Sequence, residues 1–355
     1  VTSGDLVMTM GAGTITDVGS NLLRRLERRP TAKSAKNRHS DDPSGIRIQE
    51  QSPLSLATTM RVGGPADFLI RASSEDGIVA AFRWAVQREL PVTVIGGGSN
   101  VLASDAGIRG LTIIVKAAGA KALQSLWHTD HGDFVELVAP AQAPISGVGR
   151  YCAEQGWSGM DWAVGLPGQI GGATVNNAGA HGTELKDHLV SIDLLDEFGQ
   201  RITVDAAWLG ASYRMTKIKG SARPRPWIVL GATFRLPKSD PVHLIALADE
   251  HASFRKRTQP SGPCSGSTFA NPEGDYAGRL LETAGLKGFT IGAMQFSPKH
   301  ANWVVNTGGG TASDAWDLIM HGQDVVRDRF GIELRPEIER VGDGDAWEST
   351  SGNHE

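Results

Sequence analysis

Long apolar runs are missing. Nothing in the 355 residues approaches the roughly 18 consecutive apolar residues of a bilayer-spanning helix. Cysteine is scarce: Cys152 and Cys264 cannot build a disulfide framework and fit a reducing, cytoplasmic compartment. There is no excess of positive charge, with 35 Lys and Arg against 39 Asp and Glu. Nucleic-acid binders usually carry a basic stripe, so no such partner is expected. Metal-ligand spacing is absent as well. His128, His131 and His181 have neither i,i+4 partners nor neighbouring cysteines. What the chain does have is glycine, 44 residues gathered in a few short clusters. Clustered glycine marks backbone that approaches a ligand or takes positive φ.

Residues 1–45 differ in texture from the rest. A loose apolar start precedes a basic run from Arg24 to Arg38, the reverse of the order in a secretory signal. This segment reads as a disordered tail or an upstream extension, and 346–355 as a second tail. From Pro53 the pattern becomes compact. Residues 66–70 read as a strand, followed by a helix over 75–90 capped at Ser73–Ser74, with Ile78, Phe82, Ala85 and Val86 on one face. Further strands are expected over 91–95, 111–115, 135–139, 189–195, 201–204 and 227–234. Helices are expected over 146–155, 275–284 and 313–330, each closed by the glycine that follows. Ile338 marks a strand returning late in the chain.

Three segments could carry chemistry. In the first, the strand at 92–95 enters Gly96-Gly97-Gly98-Ser99-Asn100. Amides in such a turn can face a phosphate without Cβ interference. No Gly-Lys-Ser/Thr follows, so it is no P-loop, and no helix opens as in a Rossmann fingerprint. The second runs from Gly165 through Gly168 and Gly171 to Asn177-Ala178-Gly179, without helical or strand periodicity and too apolar for a solvated loop. It suits a flat, uncharged ligand laid against main chain. The third is Ser261–Pro272, which contains Ser265-Gly266-Ser267. A serine in such a loop can be a nucleophile, a phosphate ligand, a proton donor or simply solvated. The Gly-x-Ser-x-Gly elbow is absent. Arg214 and Glu337 would each ordinarily be surface charges.

In this order, several short motifs resemble the UDP-N-acetylenolpyruvoylglucosamine reductase family. They are Thr59–Asp67, Gly96–Leu102, Gly165-Leu166-Pro167-Gly168, Asn177-Ala178-Gly179-Ala180, Tyr213-Arg214, Gly266-Ser267, Leu286-Lys287-Gly288 and Pro336-Glu337. The resemblance runs from about Pro53 to Gly342. It implies an α+β chain with a two-subdomain FAD-binding fold of the PCMH type and a third, α/β substrate-binding domain. The implied boundaries are 46–116 with 331–345 for the first subdomain, 117–256 for the second and 257–330 for the third.

The resemblance also implies a monomeric, NADPH-dependent flavoenzyme acting on a UDP-sugar substrate in peptidoglycan precursor synthesis. Hydride passes from the flavin N5 to the vinyl carbon of UDP-N-acetylglucosamine enolpyruvate. Ser267 is then the proton donor, with Arg214 and Glu337 completing the catalytic set. FAD contacts fall on Gly96, Gly97, Gly98, Ser99, Asn100, Gly165, Gly168, Gly171, Asn177, Ala178 and Gly179. Substrate contacts fall on Tyr213, Asn271, Lys287 and Gln259.

The chain departs from the family pattern at Ala270, where many relatives carry lysine, and at Thr216, where serine is usual. The stretch 237–259 is short and lacks the tyrosine-bearing insertion, which places the chain in the shorter subgroup. Two other readings stay open: another noncovalent flavin dehydrogenase or oxidase of the same fold, and a sugar-nucleotide-binding relative without catalysis. Residues 96–107 hold no histidine or cysteine that could tether a flavin.

Overall fold

A computed structural model describes residues 39–41, 47–116 and 120–342. The first sheet draws on β1 (His39–Asp41), β2 (Arg47–Pro53), β3 (Pro65–Ala72), β4 (Val92–Ile95) and, after the short β5 (Val101–Ala103), β6 (Ile108–Val115). Its order is β1-β2-β3-β6-β4, antiparallel at the β1–β2–β3 edge and parallel from β3 through β6 to β4. β6 is buried on both faces, as a central parallel strand must be. β1 lies within the segment expected as a tail, and pairs His39 with Gln49. The remainder of that tail, and 346–355, fall outside the described residues.

The crossover between β3 and β4 is the helix Glu75–Val86. The Ser74 side chain accepts from the Gly77 amide, and Glu75 and Asp76 place negative charge at the positive end of the helix. Ile78, Phe82 and Ala85 are buried as their spacing predicts, whereas Val86 ends the helix half-exposed and Trp84 takes its place inside. This core also takes in Leu195, Ile228 and Leu230 from the second sheet, so the two sheets share one apolar layer.

The second sheet uses β7 (Trp127–Asp130), β8 (Phe134–Pro140), β11 (Leu189–Leu195), β12 (Arg201–Asp205) and β13 (Ile228–Pro237), ordered β12-β11-β13-β8-β7 and antiparallel throughout. The helices Ile145–Glu154 and Ile170–Asn176 pack on it, with a two-strand ribbon, β9 (Gly179–Ala180) and β10 (Thr183–Glu184), beyond them. The helix Ile170–Asn176 sits where no periodicity was expected. Its inward residues, Ile170, Ala173 and Thr174, do follow the i, i+3, i+4 pattern, but over only two turns.

A long helix, Pro241–Thr258, was also unforeseen. Its buried face is little more than Leu244 and Ala248, too thin a stripe to stand out. The last block contains β14 (Thr290–Ile291), β15 (Met294–Phe296) and β16 (Val304–Asn306), with the helices Ala277–Thr283 and Ala312–Phe330. β17 (Glu339–Val341) then leaves this block and pairs in parallel with β5.

The long helix Ala312–Phe330 carries a Thr311/Asp314 capping box, and Gly331 ends it at φ 70°. Its N-terminus is tied to the first lobe. Asp105 accepts from the amides of Ala312 (2.9 Å) and Ser313 (2.8 Å) and from the Ser313 hydroxyl (2.8 Å). Replacing Asp105 with alanine should lower the unfolding free energy by about 1–2 kcal/mol, the loss of a good helix cap. Urea denaturation followed by circular dichroism checks this, and an unshifted midpoint would show that the tie bears no load.

Candidate active site

Five remote segments meet at one place. β4 delivers the glycine turn 96–100, whose peptide N–H groups make no hydrogen bond to protein among the described residues. Across from it lies the second glycine segment. A Cβ on Gly97 would sit 3.4 Å from the Gly168 Cα, one on Gly168 would sit 3.0 Å from the Ser99 Oγ, and one on Gly96 would come 2.9 Å from the Gln169 Oε1. That Gln169 oxygen is buried and unpartnered, while its Nε2 donates to the Val115 carbonyl at 3.0 Å. Gly98 holds φ +65° with the Ala57 carbonyl 2.1 Å from where its Cβ would be, so only glycine fits there.

Thr59 stitches this turn to the serine loop. Its amide and hydroxyl donate to the Gly98 carbonyl (3.1 and 3.2 Å), and its hydroxyl reaches the Cys264 carbonyl at 2.6 Å. The serine loop in turn is paired to the segment before β17: the Glu337 amide donates to the Thr268 carbonyl at 2.8 Å, and the Ala270 amide to the Arg335 carbonyl at 3.0 Å. Ser267 precedes Thr268 and borders a cavity of about 490 Å³ that Asn271, Tyr276, Lys299, His300 and Asn302 also line.

Arg214, at φ 54°, points its guanidinium at Glu337, with Nε 2.8 Å from the carboxylate and both side chains only 15% exposed. Its Nη1 and Nη2 donate to the carbonyls of Asn177 (3.2 Å) and Gly179 (2.6 Å). Burial pushes the Glu337 carboxyl above the usual glutamate range, an effect that the charges of Arg214 and Lys219 oppose but do not cancel. Arg214 and Glu337, far apart in sequence, thus meet beside the loop that carries Ser267.

The remaining expected contacts sort by placement. The Asn177 side chain is engaged by protein, its Nδ2 donating to Glu184 and to the Ser212 carbonyl and its Oδ1 accepting from the Lys186 amide. The Ala178 carbonyl accepts from Leu185, and Gly171 packs against Ala141. These residues hold the ledge on which Arg214 rests. The Tyr213 hydroxyl accepts from the Asn271 amide at 3.3 Å, so those two substrate candidates are neighbours. Lys287 instead pairs with Glu282 at 2.8 Å, and Gln259 caps the helix Pro241–Thr258.

Lys219 escaped the sequence reading. Its Nζ donates to the Asn176 Oδ1 at 2.9 Å and lies 3.5 Å from both the Glu337 carbonyl and the Glu339 carboxylate. Glu339 also contacts Arg223, and Arg225 at 2.7 Å. Burial raises the Glu339 carboxyl, but Arg225, Lys219 and Arg223 together outweigh it and hold the group below its ordinary range. Burial draws the Lys219 ammonium downward, against the pull of Glu339. Asn100 completes the lattice, its Nδ2 donating to the Glu337 carbonyl at 3.1 Å and its carbonyl accepting from the Glu339 amide at 2.9 Å. The only sequence signal for Lys219 is its place a few residues after Arg214.

A turn of unused amides beside a buried ion pair defines a protein that holds a nucleotide-type cofactor next to a reactive centre. The family model of the FAD binding domain matches residues 66–205, and that of the UDP-N-acetylenolpyruvoylglucosamine reductase C-terminal domain matches 258–341. The reductase of that name from Gloeobacter violaceus is 41% identical over 304 residues, covering 84% of this chain and 98% of the relative. That from Rubrobacter xylanophilus is 40% identical over 291 residues, covering 82% and 94%. The crystal structure of UDP-N-acetylenolpyruvylglucosamine reductase from Thermus caldophilus superposes with a TM-score of 0.67 at 28% identity, covering 83% of this chain and 99% of that one. The chain belongs to the UDP-N-acetylenolpyruvoylglucosamine reductase family.

FAD suits the residues present. Free amides at 96–100 match a pyrophosphate, and the missing side chains of Gly97 and Gly168 let the two glycine segments close on each other. Gly98→Ala should therefore destabilise the turn by roughly 1–3 kcal/mol. The variant should purify with much less flavin, read from the visible absorbance per chain.

Glu339→Gln leaves Lys219 and two arginines without their carboxylate, and is expected to lose about 3 kcal/mol of stability. Because the folded pKa of Glu339 is depressed, the stability it lends is present above the ordinary glutamate value and fades as pH falls through the lowered one. Thermal melts across that acid range should accordingly show a gap between wild type and variant that closes as pH falls.

Proposed function

We propose that this chain reduces the enolpyruvyl ether of UDP-N-acetylglucosamine to UDP-N-acetylmuramate, with Ser267 as proton donor and Arg214 and Glu337 as the charged pair at the reacting group. FAD is the bound cofactor and NADPH the reductant, and the flavin supplies the hydride chemistry. The turn at Gly96–Asn100 with Gly165 and Gly168 holds the cofactor. The observation that carries this reading is the buried Arg214–Glu337 pair, whose segment is hydrogen-bonded both to the Ser267 loop and to Asn100 of that turn.

Hydride addition to the distal vinyl carbon leaves negative charge on the carbon that bears the carboxylate. Arg214, oriented by two main-chain carbonyls, offers fixed positive charge there when Glu337 is in its protonated form. Glu337, with its carboxyl shifted toward the protonated form, can donate a hydrogen bond to the same group. Ser267 passes its hydroxyl proton to the carbon. A serine is a weak acid, so its position in a loop pinned by Thr268 and Asn302 does most of the work. Tyr213, Asn271, Lys287 and Gln259 are the candidates for the substrate, and of these Tyr213 and Asn271 are hydrogen-bonded neighbours.

Residues 46–116 with 331–345 form the first flavin lobe, 117–256 the second and 257–330 the substrate-binding part. The parallel pairing of β17 with β5 supports that division. Two unbridged thiols accord with the reducing cytoplasm, where we place the protein as a monomer acting on soluble substrates. Burial raises the pKa of both thiols, as suits structural residues.

Ser267→Ala tests the roles directly. The variant should keep its flavin and still oxidise NADPH in a single anaerobic turnover, while steady-state reduction of the enolpyruvyl substrate falls by roughly 10²–10⁴-fold. Normal turnover by the variant would remove Ser267 from the chemistry.

A further inference from the structure

One strongly basic group near the site has no counter-charge. Arg255 stands in the last turn of the helix Pro241–Thr258. Its buried Nε has no hydrogen-bond partner, and no carboxylate lies within 4 Å of its guanidinium among the described residues. Its side chain lies against the second glycine segment, with Cδ 3.1 Å from where a Gly165 Cβ would be, and Gly165 holds φ +85°. The helix end is fixed from the other side, where the Lys299 Nζ, in the wall of the cavity, donates to the Lys256 carbonyl at 2.8 Å. Burial first, and then the nearby charge of Arg214, hold the Arg255 guanidinium down at about 10.

Arg214 alone cannot supply net positive charge while Glu337 is ionised. Its Nε is paired with that carboxylate, and both Nη atoms are given to carbonyls. Arg255 is uncompensated whichever form Glu337 takes. A half-buried arginine is stable only where an anion arrives to pair with it. We propose that Arg255 binds the carboxylate of the enolpyruvyl group, at the Arg214 side of the site, and so orients the substrate for reduction. This inference rests on the reading that Arg214 and Glu337 face the enolpyruvyl group.

The test compares two ligands on the flavin-loaded protein. UDP-N-acetylglucosamine lacks the carboxylate, and its enolpyruvyl ether carries it. Binding of each is followed by the change in flavin absorbance for wild type, Arg255→Met and Arg255→Lys. The methionine variant should bind the enolpyruvyl ether roughly ten- to a hundredfold more weakly, with a matching rise in KM. Its affinity for UDP-N-acetylglucosamine and its flavin midpoint potential should stay as in wild type, and lysine should recover part of the loss. Should the methionine variant shed its flavin, Arg255→Gln replaces it in the same comparison. Equal weakening of both ligands, no weakening of either, or a lowered flavin potential with unchanged binding would each overturn the proposal. Failure of the wild type itself to turn over the enolpyruvyl ether with NADPH would instead overturn the parent reading.

Discussion

The ion pair between Arg214 and Glu337 is the contact on which the site depends. Two charges taken out of water are stable only when geometry and further hydrogen bonds satisfy what remains of each. Here the guanidinium has two main-chain carbonyls besides the carboxylate, and the carboxylate belongs to a segment paired to the serine loop through Thr268. Because Asn177 and Gly179 provide those carbonyls, the second glycine segment must turn as it does. Asn177 adopts φ 42°, and all of its side-chain bonds go to the protein to hold that turn. The pair therefore fixes the ledge, the serine loop and the approach of the last strand together.

A second carboxylate, two residues on, acts differently. Glu339 meets three cations and stays ionised, whereas Glu337 meets Arg214 beneath a heavier burial and is drawn toward its neutral form. One anchors β17 against Lys219, Arg223 and Arg225, and the other is left able to donate a hydrogen bond.

Much of this was legible in the sequence, and the exceptions have physical causes. Strands such as 189–195 and helices such as 312–330 carry a clear period with caps, so their existence and limits could be read directly. The helix Pro241–Thr258 could not, because it buries one narrow stripe and looks like a charged, solvated stretch. Arg255 shared that fate, since Arg255-Lys256-Arg257 reads as surface charge until the fold lays the first of them over Gly165. The glycine clusters were visible as segments, but not that Gly97 and Gly168 face each other. Ser267, Arg214 and Glu337 were individually unremarkable. Their grouping came from resemblance, and the fold supplied the geometry.

The parallel pairing of β17 with β5 has a consequence for the making of the protein. Val101–Ala103 emerges early in synthesis and waits for Glu339–Val341, which arrives after both sheets and the intervening helices. Glu337 comes with that late strand, and so does the carbonyl that Asn100 binds. A chain halted before this point lacks half of the ion pair and the backbone partner of the serine loop. The Arg214–Glu337 pair and the pairing of the serine loop are therefore the last contacts that the growing chain can make.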